Sequence, residues 1–282
     1  MTRNTKALLF ILVFALCHFF MKQLWGENWS EYLLNIDGQT NLLRKPIILT
    51  FIYGPMLLCA YWMFKRAGWL EILGLKPRGV LNYGLAAIVC CLPMFAGYWY
   101  LSHEINSSFV DFMIGSVYAG FFEEVIFRAA LFGVLFRYCG LGFVPAALVS
   151  ASVFGLAHIY QGNDAISALL AFAITAVGGT WFAWLYCECN YRIWFPMWMH
   201  LFMNAAYNFF VMSGGAVGQL DANLYRAMAI IMSLIYVGWL IRKGKPREIT
   251  TRNLWVNKAY LRCDATTSPK PSSCQSSHLL KM

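Results

Sequence analysis

Charge is what this sequence has least of. Only 12% of its 282 residues are charged, 13 acidic and 22 basic, while 60% are hydrophobic; ordinary soluble domains carry about 25% charged and about 45–50% apolar residues. That balance excludes a soluble globular domain and an acidic or disordered scaffold alike. Several catalytic signatures are missing too. There is no H-E-x-x-H helix, no G-x-S-x-G turn, no phosphate loop and no aspartyl-protease-like pair of Asp residues, so serine and aspartyl chemistry rank low. No internal repeat or inverted pair of broken helices supports a transporter of the inverted-repeat kind. The nine cysteines form no paired exoplasmic set, which argues against a disulfide framework. Cys187 and Cys189 lack the second pair that structural zinc, with its four ligands, would require.

What is abundant is long apolar sequence. A helix needs about 20 largely apolar residues to cross a bilayer, and that ruler gives eight candidate spans: roughly 7–25, 46–64, 83–101, 112–136, 141–160, 164–186, 193–212 and 222–241. The expected fold is an all-α polytopic membrane helical bundle of about eight transmembrane helices. The 11 Trp, 15 Tyr and 22 Phe residues suit its core and its lipid–water interfaces. The first span follows Arg3 and Lys6 like a signal peptide, but no small-residue cleavage site follows before Glu27, so it reads as a retained helix.

Lys and Arg accumulate in short cytoplasmic loops, and their placement puts both termini on the cytoplasmic side. Arg3, Lys6, Lys65, Arg66, Lys76, Arg78, Arg137 and Arg192 fall on one side with the segment after the last span. Arg44 and Lys45 lie in an opposite loop with Glu27, Glu31 and Asp37. The chain then divides into a bundle over 1–241, with a core at about 115–212, and a basic, partly disordered cytoplasmic tail over 242–282. That tail holds nine basic and two acidic residues, a net of +7 out of +9 for the protein. Such a tail is attracted to anionic headgroups; with no folded motif, it gives no reason to expect a nucleic acid. The Ser, Thr and Pro-rich stretch from Ala265 to Ser277 reads as disordered.

Against this background the polar residues inside apolar runs stand out. Glu123, Glu124 and Arg128 share the fourth span. Even on mild insertion scales a central charge costs about 2.5–3.5 kcal/mol, so the three must pair or face a polar cavity, and intramembrane ionisable groups are functional by default. Glu124 and Arg128 are four apart with the acid first, the better order for a helical ion pair. Glu123 is rotated by about 100°, so one carboxylate can be neutralised while its neighbour stays free, a division that acid–base chemistry uses. The bland alternative is an ion-pair cluster that only holds helices together. His158 closes the fifth span on the face of Phe154 and, alone, would be an interfacial histidine. His200 and Asn204 lie four apart in the seventh span, and Asn208 continues their stripe, where interhelical hydrogen bonding is the structural alternative. Taken together, two acids and an Arg on one helix, a His on the next and a His with an Asn on a third make one polar constellation.

The ordered set FFEEVIFR, FGLAH and HLFMN resembles the CPBP family of intramembrane glutamic endopeptidases, which includes the type II CAAX prenyl endopeptidases and the bacterial abortive-infection relatives. The resemblance covers roughly Gly115 to Met212. It consists of E-E-x-x-x-R at Glu123, Glu124 and Arg128, F-x-x-x-H at Phe154 and His158, and H-x-x-x-N at His200 and Asn204. It implies that Glu123 activates water, that His158 helps to hold that water, and that Glu124 and Arg128 support and orient the site. It further implies that His200 and Asn204 donate hydrogen bonds to the oxyanion. Peptide hydrolysis does need a base beside a water and donors aimed at the developing oxyanion.

The resemblance favours catalysis without a cofactor. Glu with two His could still ligate zinc and leave a position for water, which is the less favoured route. The expected partners are the lipid bilayer and a hydrophobic, prenylated or otherwise membrane-associated peptide or protein substrate. A bacterial inner membrane is the better fit to the compact loops, with the endoplasmic reticulum as the alternative. Two other functional classes compete: a noncatalytic membrane protein of the same fold, such as a bacteriocin self-immunity or scaffold factor, and a proton-coupled carrier using the same groups as a relay.

Overall fold

The computed structural model describes residues 2–23, 38–102 and 104–258. It is an all-α membrane helical bundle; among the described residues no strand forms, and the one β-type contact is an isolated antiparallel bridge between Leu141 and Val256. Helix α1 covers Arg3–Ala15 and widens into a π turn over Leu16–Met21. It is followed by α2 (Gly38–Phe64), the short α3 (Trp69–Ile72) and α4 (Val80–Ser102). Helix α5 starts as Phe109–Phe112, continues in π geometry over Met113–Phe132 and, after Gly133, over Val134–Tyr138. The remaining helices are α6 (Phe143–Leu156), α7 (Ala165–Glu188), α8 (Trp194–Phe209) and α9 (Leu220–Arg242).

Five helical segments are long and apolar enough to cross a membrane: Arg3–Met21, Leu42–Phe64, Val80–Ser102, Ala165–Glu188 and Leu220–Arg242. The other three expected spans are helical as well but do not meet that measure. Helices α6 and α8 have 14 and 16 residues, about 21 and 24 Å at 1.5 Å per residue. Helix α5 is long, yet it carries Glu123, Glu124, Arg128 and Arg137. Length and composition therefore assign five crossings among the described residues.

Helix α5 is the central pole. From Glu124 to Arg137 every residue of it is buried, the condition of a helix surrounded on all sides. Phe10 and Phe14 of α1, Met56 and Ala60 of α2, and Tyr186 of α7 join its Phe127, Phe132 and Phe136 in one core. The π geometry differs from the 3.6-residue period expected of this span; its bonds run i to i+5. Hydrophobic pattern alone does not distinguish the two helix types. Local signals set several helix ends. Asp164 caps α7, accepting from the Ile166 and Ser167 amides at 2.8 and 2.9 Å in a capping box with Ser167. Ser108 caps α5 through the Asp111 amide at 3.2 Å. Gly120 permits a close approach of α5 to α8, since a Cβ there would stand 3.0–3.1 Å from the Leu201 backbone.

The first part of the basic tail, after α9, is ordered against the bundle. The Gly142 and Val144 amides donate to Trp255 and Leu254 at 3.0 and 2.8 Å. The Asn257 amide donates to Gly140, and its side chain to Phe136, each at 3.0 Å. Buried Glu188 accepts from the Ile249 amide at 3.1 Å and from Lys245 at 3.3 Å. Residues 243–258 thus form a strap across the ends of α5, α6 and α7, because its backbone donors and acceptors find partners there. The expected disordered stretch Ala265 to Ser277 lies outside the described residues, as do the acids Glu27, Glu31 and Asp37. Cys187 and Cys189 are buried free thiols.

Candidate active site

Helix α5 brings Glu123 and Glu124 against α8, and the two neighbouring carboxylates meet different surroundings. Glu124 is fully buried; its Oε1 stands 3.2 Å from Arg128 Nη1 and 2.9 Å from His200 Nδ1. The expected i,i+4 ion pair is therefore present, with His200 as its third member. Arg128 is itself buried, and its guanidinium lies over the rings of Phe154 at 4.1 Å and Phe182 at 5.2 Å. Those aromatic faces take part of the cost of burying the cation. Glu123 is instead part-exposed. Its Oε2 lies 3.7 Å from His200 Nε2, and that oxygen has no hydrogen-bond partner.

A cavity of about 800 Å³ opens beside Glu123. Its wall includes Glu123, His158, His200 and Asn204, and Asn208 as well. Glu124 and Arg128 sit behind that wall. The six residues singled out from the sequence therefore divide into four that face the cavity and two that back it. His158, which closes the fifth expected span, lies just past the end of a helix. In the structure α6 ends at Leu156 and a turn carries His158 to the cavity rim, where its Nδ1 donates to the Phe154 carbonyl at 2.7 Å. A carbonyl can only accept, so Nδ1 carries the proton and Nε2 is left as an acceptor.

Asn204 donates from Nδ2 to the Gly115 carbonyl at 3.0 Å, and Asn208 donates to Ser116 Oγ at 3.3 Å. Each amide nitrogen has a second N–H, and for Asn204 that second donor is on a cavity-lining residue. Sequence reading missed several participants. Lys45, assigned to an outer loop, is within α2 and lines the cavity, with Nζ donating to the Ile114 carbonyl at 3.1 Å. Its signal was faint, a lysine immediately before Pro46 at the head of an apolar run. Phe182, which stacks on His200 at 5.2 Å, and Arg226 at the cavity rim carried no sequence signal. Arg226 donates to the Ala216 carbonyl at 2.7 Å, and Gln161 accepts from the Ala216 amide at the same distance.

The polar groups at the strap end form a second, separate cluster. Arg137, which the sequence suggested as a loop cation, is buried and donates to the Glu71 carbonyl at 2.9 Å and to the Tyr186 hydroxyl at 3.1 Å. Its guanidinium also pairs with the Glu71 carboxylate, which Lys76 approaches from the other side. Burial pushes the Glu71 carboxyl up, but Arg137 and Lys76 together hold it below the ordinary glutamate value. For a metal, the donor set at the cavity does not fit: among the described residues no three His, Cys, Asp or Glu side chains converge to hold one.

With this geometry in view, comparison with known proteins is informative. Residues 105–206 match the family described as type II CAAX prenyl endopeptidase Rce1-like. That interval spans all three motifs. A Bacillus subtilis (strain 168) protein named "Putative membrane peptidase YdiL" is 37% identical over 92 residues, 33% of this chain and 33% of that protein. The chain thus matches about a third of the length of that curated relative. No solved structure matches. The resemblance to CPBP-family membrane peptidases rests on this segment, which holds the cavity's acid and its His–Asn pair.

Proposed function

We propose that this protein is an intramembrane endopeptidase that hydrolyses peptide bonds of membrane-associated or hydrophobic substrates with water activated by Glu123. The observation that carries the reading is the unequal fate of adjacent carboxylates. Glu124 is fully buried with its Oε1 on Arg128 and His200, whereas Glu123 is part-exposed and forms part of the cavity wall. In the proposed reaction a water donates one hydrogen bond to Glu123 and the other to His158 Nε2, leaving a lone pair for the scissile carbonyl carbon. As the C–O bond forms, the water's proton passes to Glu123 and the carbonyl π pair moves onto oxygen. The second N–H of Asn204 donates to that oxyanion. Collapse breaks the C–N bond, and Glu123 returns the proton to the leaving amine.

His200 has a narrower part than the resemblance implies. Its Nδ1 faces the Glu124 carboxylate at 2.9 Å, so Nδ1 carries a proton, and donation from Nε2 as well requires the imidazolium form. No step needs a metal. The bacterial cell membrane and cytoplasmic termini belong to the same proposal, supported by the short loops and the distribution of Lys and Arg.

The test is a peptide library incubated with purified full-length protein in detergent, with products read by mass spectrometry. Wild type should yield new termini, Glu123→Gln none, and a zinc chelator should leave wild-type cleavage intact. Cleavage that survives Glu123→Gln would remove the proposal, and loss in chelator would replace the glutamate route with a metal one.

A further inference from the structure

The proposed reaction leaves the oxyanion short of donors, and Lys45 is placed to supply them. His200 spends its Nδ1 on Glu124 and turns its Nε2 toward Glu123, 3.7 Å away, which leaves Asn204 with one spare N–H beside its bond to Gly115. Peptide hydrolysis gains most from several fixed donors where charge develops. The cavity wall holds two basic side chains, Lys45 and Arg226. Arg226 is engaged by the Ala216 carbonyl, and Lys45 by the Ile114 carbonyl of α5.

Its placement is fixed by a juxtaposition across three helices. Lys45 of α2 donates to the Ile114 carbonyl at 3.1 Å, and Asn204 of α8 donates to the Gly115 carbonyl at 3.0 Å. Those are consecutive carbonyls of α5, so both nitrogens are anchored on the same turn of that helix. Lys45, Ile114, Gly115, Glu123 and Asn204 all line the same cavity. An ammonium has three N–H groups; one is spent on Ile114, and two remain. Among the described residues Lys45 and Glu123 form no ion pair, so the lysine does not quench the base.

We propose that Lys45 is a catalytic residue that donates a charge-assisted hydrogen bond to the oxyanion, next to Asn204. No proton is transferred from it; the N–H···O contact forms as the carbonyl pair moves onto oxygen and is released on collapse. A charged donor makes a shorter and stronger bond to an oxyanion than a neutral amide does, and its hydrogen bond to Ile114 holds it in place beforehand. The competing structural role is a tie between α2 and α5, with the lysine stem covering apolar surface. The two roles differ in what they change. A tie affects folding and substrate affinity together, whereas an oxyanion donor acts on the transition state alone.

The proposal rests on the peptidase reading and is tested apart from it. The probes are an internally quenched peptide selected for cleavage by wild type, and its phosphinate analogue with PO2–CH2 in place of the scissile CO–NH. Lys45→Met should lower kcat by about 10²-fold, in line with loss of one oxyanion donor. KM should stay within about twofold, and phosphinate binding should weaken by a similar factor to kcat. Lys45→Arg should recover part of both. Unchanged kcat in Lys45→Met, or a fall in kcat matched by raised KM and reduced thermal stability, would overturn the role for Lys45. Because Glu123→Gln is assayed on the same peptide, full activity in that variant would instead overturn Glu123 as the base, and absence of cleavage by wild type would overturn the peptidase reading itself.

Discussion

Removing the counter-charge of Glu124 should cost more stability than any other single change at the site. Arg128 and Glu124 are both buried, 3.2 Å apart. Breaking a buried pair by deleting one member strands the other charge, which costs about 3–5 kcal/mol, whereas removing both is often close to neutral. Arg128→Met leaves the methionine able to pack between Phe154 and Phe182, so the cavity left behind is small and the loss is mainly electrostatic. That change should shift the folding equilibrium by about 10²- to 10⁴-fold. Glu124→Gln should cost a comparable amount by stranding Arg128, although a Gln side chain can still meet His200. The double variant should be milder than the sum of the singles by at least 2 kcal/mol. Equilibrium unfolding in mixed micelles, followed by tryptophan fluorescence, measures all three against wild type. A coupling below about 0.5 kcal/mol, the scatter of independent sites, would refute the view that this pair is what makes charge tolerable in the core of α5.

Other outcomes follow from the same packing. Gly120→Val should destabilise the bundle by about 1–3 kcal/mol through overpacking, because its Cβ would press on the Leu201 backbone, and it should also reduce cleavage by moving His200 away from the acids; unaltered unfolding would show that α5 and α8 can separate at no cost. Gly178 lines the cavity, and a Cβ there meets nothing within 4 Å, so Gly178→Leu should hold or raise stability by up to about 1 kcal/mol while slowing cleavage of bulky peptides more than short ones, which paired kcat/KM measurements would check. Glu71, held below its ordinary value of 4.5, binds fewer protons folded than unfolded. Its contribution is complete above that ordinary value and disappears as pH falls through the depressed one. Wild type should therefore lose stability below about pH 4.5 by a component that Glu71→Gln lacks, and parallel acid dependence in the two proteins would remove that assignment.

The sequence made the helical core and the polar constellation legible for one physical reason: charge within apolar runs is costly, so its pattern is sparse and readable. Glu123, Glu124, Arg128, His200 and Asn204 stood out in this way, and the i,i+4 spacing anticipated the ion pair now seen. Groups whose position depends on tertiary approach were not legible. Lys45 looked like a loop cation because nothing local shows that α2 extends past it and leans on Ile114. Arg137 and Glu71 meet across 66 residues, a pairing that no local pattern encodes. The strap was read as tail because its basic composition is that of a solvated segment, while its order comes from backbone bonds to Gly140, Gly142 and Val144. Phe182 was one aromatic among many until the stacking of His200 and the placement of Arg128 gave it a distinct part.

The arrangement also explains why two adjacent glutamates are useful where one would suffice for proton transfer. A lone carboxylate in this bundle would have to choose between satisfying a buried cation and remaining available to water. Placing two in sequence separates those demands by rotation about the helix axis. Glu124 turns inward and is consumed by Arg128 and His200, which fixes the His200 ring between α5 and α8. Glu123 turns toward the cavity and is part-exposed. The inward pair then orients the outward acid's surroundings, since His200 contacts both carboxylates, at 2.9 and 3.7 Å. Exchanging the roles is not open to the sequence: Arg128 is four residues from Glu124 and five from Glu123, and only the former pairing is formed. The order E-E-x-x-x-R therefore sets which acid is buried and which faces the cavity, so, under the proposed function, Glu123→Asp and Glu124→Asp, though chemically alike, should fail differently, the first in turnover and the second in folding.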